Sequence, residues 1–343
     1  MDTNIIQPEI TVLMPAYNAE RFIALAIESV LCQSYGNFEL LIIDDGSNDN
    51  TQRIIENYSD SRIRLLINQK NLGLVAVRNQ GIKECRGKYI ALLDADDIAL
   101  PARFEQQKKF LDTHPTVGLI GSAVALINEK GAKKGVTWKS GLPTEEISIA
   151  LLFRNQFAQS SIMARREILE ENPYTDGFAP AEDYELWSRI AKKSSLWNLP
   201  KTLVLYRVHN ASSSKKGENK KNEAVASVRI RELQNIGILA STSELDIHAR
   251  HRAQNDENIR EFLTKKATWL TKLMEANSSS KKYPEALFAR GMGREWLDTA
   301  YANSKYGLTV WKIFHNSPLS KEIWSGKTKK LFKFFIKTLL RLE

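Results

Sequence analysis

The chain has 343 residues, 43% of them apolar and 26% charged, which suits a globular protein with one large domain and an extension. Its formal net charge of +9 is unevenly placed: up to Asn210 there are 24 Lys+Arg against 26 Asp+Glu, and from Ala211 onward 25 against 14, so a basic surface belongs to the last third alone. The two cysteines, Cys32 and Cys85, lack metal-type spacing and suit a reducing compartment; no window approaches the roughly 20 apolar residues of a membrane span, and Met1 to Pro8 does not read as a signal peptide.

Ile10 to Met14 reads as a buried strand stopped by Pro15, with a turn at Ala16-Tyr17-Asn18-Ala19 and a helix over Glu20–Gln33. A second strand, Glu39–Ile43, runs into Asp44-Asp45-Gly46-Ser47, and Ser47 or Asn48 would cap a helix reaching Tyr58. Arg62–Ile67 is a third strand, Leu72–Cys85 a third helix and Lys88–Leu93 a fourth strand. Nearly continuous apolar strands alternating with helices predict an α/β fold whose mostly parallel sheet is covered on both faces. Ligands of such sheets bind beyond the carboxyl ends of the strands. Neither a Gly-x-Gly-x-x-Gly turn nor a Gly-Lys-Ser/Thr loop is present there, so phosphates bound at this edge need a cation instead of a glycine nest.

Three carboxylates, Asp94, Asp96 and Asp97, follow the fourth strand. Such a cluster repels itself and is either a plain acidic turn or a site for a hard divalent ion, since residues two apart in an extended segment share a face. Tyr17 is placed to stack on a base, and Asp45 either accepts a hydrogen bond from a base N–H or serves turn chemistry. Arg78 is either a phosphate partner or a solvated helix residue.

Val12-Leu13-Met14-Pro15-Ala16-Tyr17-Asn18, Asp44-Asp45-Gly46-Ser47, Asn71-Leu72-Gly73 with Arg78-Asn79, and Leu93-Asp94-Ala95-Asp96-Asp97 occur in this order. The combination resembles the inverting glycosyltransferases of family 2, with the GT-A fold, over roughly residues 8 to 215. The resemblance implies a nucleotide-sugar donor, a Mn2+ or Mg2+ ion, and inversion at the anomeric carbon; the donor expected here is UDP-linked. It places Pro15, Tyr17, Asp45, Arg78 and Asp94 on the donor. Asp96 becomes the metal ligand, with Asp97 as the alternative.

Further on, Pro101–His114 reads as a helix, Val117–Ile127 as a strand, Asn128–Ser140 as a surface hairpin or loop, and Thr144–Arg154 as a helix. Gln159-Ser160-Ser161 stands where many family members carry His-Pro-Ser/Thr. Glu182 and Asp183 open a helix with Trp187, where acids also suit the helix dipole. The stretch Glu182-Asp183-Tyr184-Glu185-Leu186-Trp187 resembles the family's Glu-Asp-x-x-x-Trp signature, whose Asp is the base that takes the acceptor hydroxyl proton. Asp183 is therefore the expected base and Glu182 the second candidate. Leu203–Val208 is strand-like. His209 is either structural or a metal or phosphate contact, and Arg207 is a candidate phosphate clamp. In the family pattern the loop that follows, with Ser212 to Lys216, folds over the diphosphate.

The expected division is residues 1–217, the transferase domain, and 218–343, a basic helical region with helices near Glu257–Ala276 and Pro284–Tyr301 and a linker at Ser278–Lys282. Residues 327–342 are amphipathic as a helix: Lys330, Lys333, Lys337 and Arg341 lie within roughly 80° of one another, with Leu331, Phe335, Leu339 and Leu342 opposite. This fits a terminal helix on the body, or peripheral contact with the inner face of the cytoplasmic membrane, where a lipid-linked or glycan acceptor would be met; Trp311 and Trp324 suit either a core or a headgroup layer. Two other classes compete. A sugar nucleotidyltransferase would need a glycine-rich basic loop after the first strand, and a nucleic-acid binder would need aromatics interleaved with the basic residues; neither is present, so no nucleic-acid partner is expected.

Overall fold

The computed structural model describes residues 7–138, 142, 144–209, 218–323 and 328–342. It divides into two compact units, Met1–Leu151 with Asn155–Val225, and Leu152–Arg154 with Ala226–Glu343.

The first unit begins with the expected alternation: β1 (Ile10–Ala16), α1 (Ile23–Leu31), β2 (Phe38–Asp44), α2 (Thr51–Glu56), β3 (Ile63–Ile67), α3 (Leu74–Glu84) and β4 (Tyr89–Leu92). These strands are parallel in the order β3-β2-β1-β4. β2 and β4 are buried at every position and β1 at all but Pro15, which is why their sequences run apolar without alternation. The helices are shorter than their periodicity suggests. The loops before α1 and α2 are tied to each other instead: the Asn18 amide donates to Ser47 Oγ at 2.9 Å, the Asn48 amide to Asn18 Oδ1 at 2.9 Å, and the Ala19 amide to Thr51 Oγ1 at 2.7 Å. Ser47 and Asn48 thus stitch the loops after β1 and β2 together, and Asn50 takes the N-cap position of α2.

After β4 the chain continues through β5 (Ile98–Ala99), α4 (Arg103–Thr113), β6 (Val117–Ile127), β7 (Lys133–Trp138), α5 (Thr144–Ala150), β8 (Met163–Arg165), α6 (Arg166–Glu170), α7 (Glu182–Ile190) and β9 (Ser195–Arg207). Here the sheet turns mixed. β8 lies antiparallel between β4 and β6, β9 runs parallel to β6, β5 is antiparallel to β9, and β7 forms a hairpin on β6. β8 has only three residues, too few to show a period, and Gln159–Ser161 before it is a 3-10 turn. Gly81 lets α3 lie directly on β1: a Cβ there would sit 2.2 Å from Leu13 Cδ1. That approach fixes where Arg78, one turn earlier on α3, emerges.

The second unit is helical: α8 (Glu218–Asn235) from Ala226 onward, α9 (Thr242–Ala249), α10 (Ile259–Ser280), α11 (Glu285–Ala302), α12 (Leu308–Asn316) and α13 (Thr328–Leu340). Ser241 and Glu244 form a reciprocal capping box at α9. The linker expected at Ser278–Lys282 is shorter, because Ser278 to Ser280 complete α10. Lys281 then turns the chain with φ 51°, and the Asn277 side chain bonds both the amide and the carbonyl of Tyr283. Among the described residues no helix is long and apolar enough to cross a membrane.

Candidate active site

The carboxyl ends of β1, β2 and β4 open onto a cavity of about 370 Å³ lined by Pro15, Tyr17, Asp45, Arg78, Asp94, Asp96 and His209, among others. Seven of the eleven residues singled out from the sequence therefore share one cavity. Tyr17, 47% exposed, stands at its rim with an open ring.

Asp45 is nearly buried. Its Oδ1 accepts from the Leu72 amide and Asn68 Nδ2, both at 2.9 Å, and its Oδ2 from the Gly73 amide at 3.0 Å. The Leu72 amide is shared with Oδ2 at 3.1 Å, so each oxygen accepts two donors and the carboxylate holds the Asn71–Gly73 loop against the cavity. The adjacent Gly46 has φ 70° and lies so close to Lys70 that a Cβ would meet its carbonyl carbon at 2.9 Å, so this turn requires glycine.

Arg78 is 3% exposed, not a solvated helix residue. Its Nη1 donates to Glu182 Oε1 at 2.5 Å and its Nη2 to Asp94 Oδ1 at 3.1 Å. One guanidinium therefore joins the acid cluster after β4 to the first residue of α7, 104 positions away in sequence. Burial works against its charge, but Asp94, Tyr174 and Glu182 outweigh that and raise its pKa. The Tyr174 ring lies beneath it, 5.4 Å from Cζ to centroid, with its hydroxyl bonded to Gln159 Nε2 at 2.7 Å. Asn79 clamps the Tyr174 backbone, accepting its amide at 2.8 Å and donating to its carbonyl at 2.9 Å.

The three acids after β4 separate. Asp94 pairs with Arg78. Asp96 Oδ2 lies 2.8 Å from His209 Nε2. Burial and then Asp94 raise the Asp96 pKa, against the pull of His209. Asp97 is 1% exposed and turned inward, its Oδ1 accepting the Arg207 amide at 2.7 Å. Its pKa is raised well above the ordinary carboxylate value by burial and by Asp96 and Asp94. Arg207 is likewise buried. It donates to the carbonyls of Asp96 at 2.8 Å, Asn128 at 3.1 Å and Glu129 at 3.0 Å, so the clamp expected of it is a brace on the loops instead. Asp97 is the other half of that brace, which takes it out of the cavity where a metal ligand was expected.

Glu182 and Asp183 diverge as successive helical residues must. Glu182 is buried and engaged with Arg78. Asp183 is half-buried: its Oδ1 accepts the Tyr184 amide at 2.6 Å and its Oδ2 accepts Asn155 Nδ2 at 2.9 Å. Burial and the Glu182 charge raise its pKa to about 7, with Arg78 pulling the other way. Asp183 does not line the cavity; it is tied to it through Glu182 and Arg78. Asn155 and Tyr174 were not foreseen as parts of this network. Gln159, at the position of the missing family histidine, points to Tyr174. The loop Ser212–Lys216 lies outside the described residues.

Two donors of different chemistry, the Asp96 carboxylate and the His209 imidazole, therefore sit side by side on the cavity wall. Among the described residues no group of three or more His, Cys, Asp or Glu side chains is arranged to hold a metal ion. A carboxylate and an imidazole fit a borderline divalent ion whose remaining positions go to ligand oxygens.

A family model described as glycosyl transferase family 2 matches residues 11–172. An uncharacterized glycosyltransferase of Haemophilus influenzae is 34% identical over 65% of this chain and 72% of its own length. An Escherichia coli protein, the UDP-Glc:alpha-D-GlcNAc-diphosphoundecaprenol beta-1,3-glucosyltransferase WfgD, is 34% identical over 54% of this chain and 71% of its own. Among solved structures, S. aureus TarS 1-349 in complex with UDP superimposes with a TM-score of 0.51 at 15% identity, over 95% of this chain and 89% of that one. The mannosyltransferase PcManGT from Pyrobaculum calidifontis, in complex with GDP-Man and Mn2+, gives 0.52 at 18% identity, over 94% and 89%. The fold is the GT-A type expected, and the chain is a glycosyltransferase belonging to glycosyl transferase family 2.

Proposed function

We propose that this enzyme transfers a sugar, with inversion, from a nucleotide-sugar donor of the UDP class to a glycan or lipid-linked acceptor, using Asp183 as the base. The observation that carries this reading is the Arg78 bridge, which couples the acid cluster at the strand ends to the helix turn bearing Asp183. The relative named for a UDP-Glc donor and a diphosphoundecaprenol acceptor supports the donor and acceptor classes.

In this reading Tyr17 and Asp45 receive the nucleobase, and Arg78 and Asp94 border the diphosphate. Asp96 and His209 would hold a Mn2+ or Mg2+ ion, which when bound neutralises charge on the leaving diphosphate. Asp183 takes the proton of the acceptor hydroxyl onto a carboxylate oxygen as that hydroxyl oxygen attacks the anomeric carbon. The bond from that carbon to the phosphate oxygen breaks on the opposite face, and its electron pair leaves with the nucleoside diphosphate. A base whose pKa lies near 7 holds its proton well enough to drive the transfer and is still about half ionised at neutral pH. Asn155 holds one oxygen of the carboxylate and the Tyr184 amide the other, leaving a lone pair on each for the hydroxyl.

The test is a thermal-shift panel of nucleotides and nucleotide sugars with and without Mn2+, run on wild type and Asp96→Ala. Stabilisation by UDP compounds that requires Mn2+ in wild type and is lost in the variant is the expected outcome. Equal response to all nucleotides removes the UDP assignment, and undiminished Mn2+ dependence in Asp96→Ala moves the ion elsewhere.

A further inference from the structure

The C-terminal helix does not present the single apolar face its sequence pattern suggests. Leu331, Phe334 and Thr338 are buried. Phe334 packs in an aromatic cluster with Trp311 at 5.3 Å, Phe314 at 5.2 Å and Tyr301 at 6.1 Å. Trp311 is thus part of the packing of the second unit, whereas Trp324 and the Lys330 side chain lie outside the described residues. A second apolar set on α13 remains open: Phe332 is 67% exposed, Leu339 52% and Leu340 59%, with Ile336 half-buried between them. At about 100° per residue these four span an arc of about 100°. Lys333 and Lys337 follow along one flank of that arc. Residues 327–342 contain six Lys or Arg and no Asp or Glu.

We propose that this open face of α13 docks on an anionic bilayer surface, with Phe332, Leu339 and Leu340 entering the headgroup–acyl boundary and the lysines meeting lipid phosphates. Charge complementarity selects this occupant: six cations without an acid repel a second copy of the same segment and attract an anionic leaflet. The geometry agrees. A 13-residue helix is about 20 Å long, too short to span a hydrocarbon core of about 30 Å, and it packs Leu331, Phe334 and Thr338 inward while Phe332, Leu339 and Leu340 stay exposed. Nucleic acid would engage the lysines alone and has no use for an exposed Phe/Leu ridge. The proposal goes beyond the transfer reaction and does not rest on it, since vesicle binding needs no donor.

The test is co-sedimentation of the full chain with vesicles of phosphatidylglycerol and phosphatidylethanolamine, against vesicles of phosphatidylcholine, for wild type and for Phe332→Glu/Leu340→Glu. Both positions are exposed, so the fold has no reason to change, and an unaltered melting temperature checks this. The expected result is preferential partition of wild type onto the anionic vesicles, weakened by salt and reduced at least about tenfold in the double variant. Equal partition of both proteins, or none by wild type, overturns the proposal. So does a lipid-free dimer in light scattering that the double variant dissociates, because that assigns the face to a second copy.

Discussion

Both units bury charge, and they treat it in opposite ways. In the second unit Glu295 gathers cations: Arg154 donates to it at 2.8 Å, Lys266 lies at 3.3 Å, and His251 is in direct contact. Burial alone would raise the Glu295 pKa, but Lys266, His251 and Arg154 hold it well below the ordinary value. Lys266 also donates to the carbonyls of Ile247, His248 and Arg250, closing the end of α9. In the first unit the buried Arg78 faces Asp94, Glu182 and the neighbouring Asp183, while the equally buried Arg103 and Arg207 donate to backbone carbonyls. There Asp96, Asp97 and Asp183 are all shifted upward. A compensated cluster is architecture; an acid cluster left short of positive charge is where a ligand's cation and a transferable proton have work to do. Burial by itself does not separate the two, and the direction of the shift does.

The sharpest way to break this contrast is Asp183→Asn. Loss of the base is expected to lower transfer by about 10²- to 10⁴-fold while nucleotide affinity is retained. A product assay beside calorimetric titration reads both, and parallel loss of affinity would make Asp183 a binding residue. Glu295→Ala should leave transfer chemistry aside and act on stability. Stranding Lys266 and its neighbours without their carboxylate costs about 3 to 5 kcal/mol, read as a fall in the urea midpoint at constant slope.

Asn155→Ala tests the holding of the base. Its amide stabilises the charged carboxylate, so removal raises the pKa of Asp183 from about 7, and the acid limb of the kcat/KM profile moves to higher pH. The loss is about 1.5 to 3 kcal/mol at a pH below that limb, diminishing above it. A merely structural role would lower the whole profile without moving it.

The smallest effect belongs to His248, whose pKa is pushed down to about 3 by burial and then by Lys266. The folded imidazole stays neutral while the unfolded one takes a proton below its ordinary pKa of 6.5, so the stability it contributes is lost as pH falls through that value. Between about pH 7 and pH 6 the change is under about 1 kcal/mol, and a His248→Gln variant that still folds should lack it in pH-dependent denaturation.

The strand ends were legible from the sequence because a parallel sheet buried on both faces writes itself as apolar runs, and its ligand edge follows from chain direction. Pro15, Tyr17, Asp45, Asp94 and Asp96 came from that logic together with motif order. The fates of Asp97 and Arg207 did not. Which of three consecutive-looking acids turns inward is decided by β9, more than a hundred residues later, whose Arg207 amide claims Asp97. Tyr174 carries no motif, and its role exists only because Asn79 on α3 grips its backbone in the loop before α7. In the tail, the helical wheel located the amphipathic segment but not its seam, because Phe314 and Tyr301 draw Phe334 into the packing while Trp311 touches both Phe334 and Phe335.

The double grip of Arg78 has a consequence for how this enzyme can diverge. Arg78 pairs with Asp94 and Glu182 at once, so under the proposed assignment of these carboxylates to the donor and acceptor sides the two preferences are not separately adjustable at this point. A change in α7 that pulls Glu182 away frees a guanidinium to swing toward Asp94, and a change after β4 is felt beside Asp183. Variants selected for a new acceptor through α7 would therefore bring altered donor behaviour with them, unless a compensating substitution arises at position 78 itself.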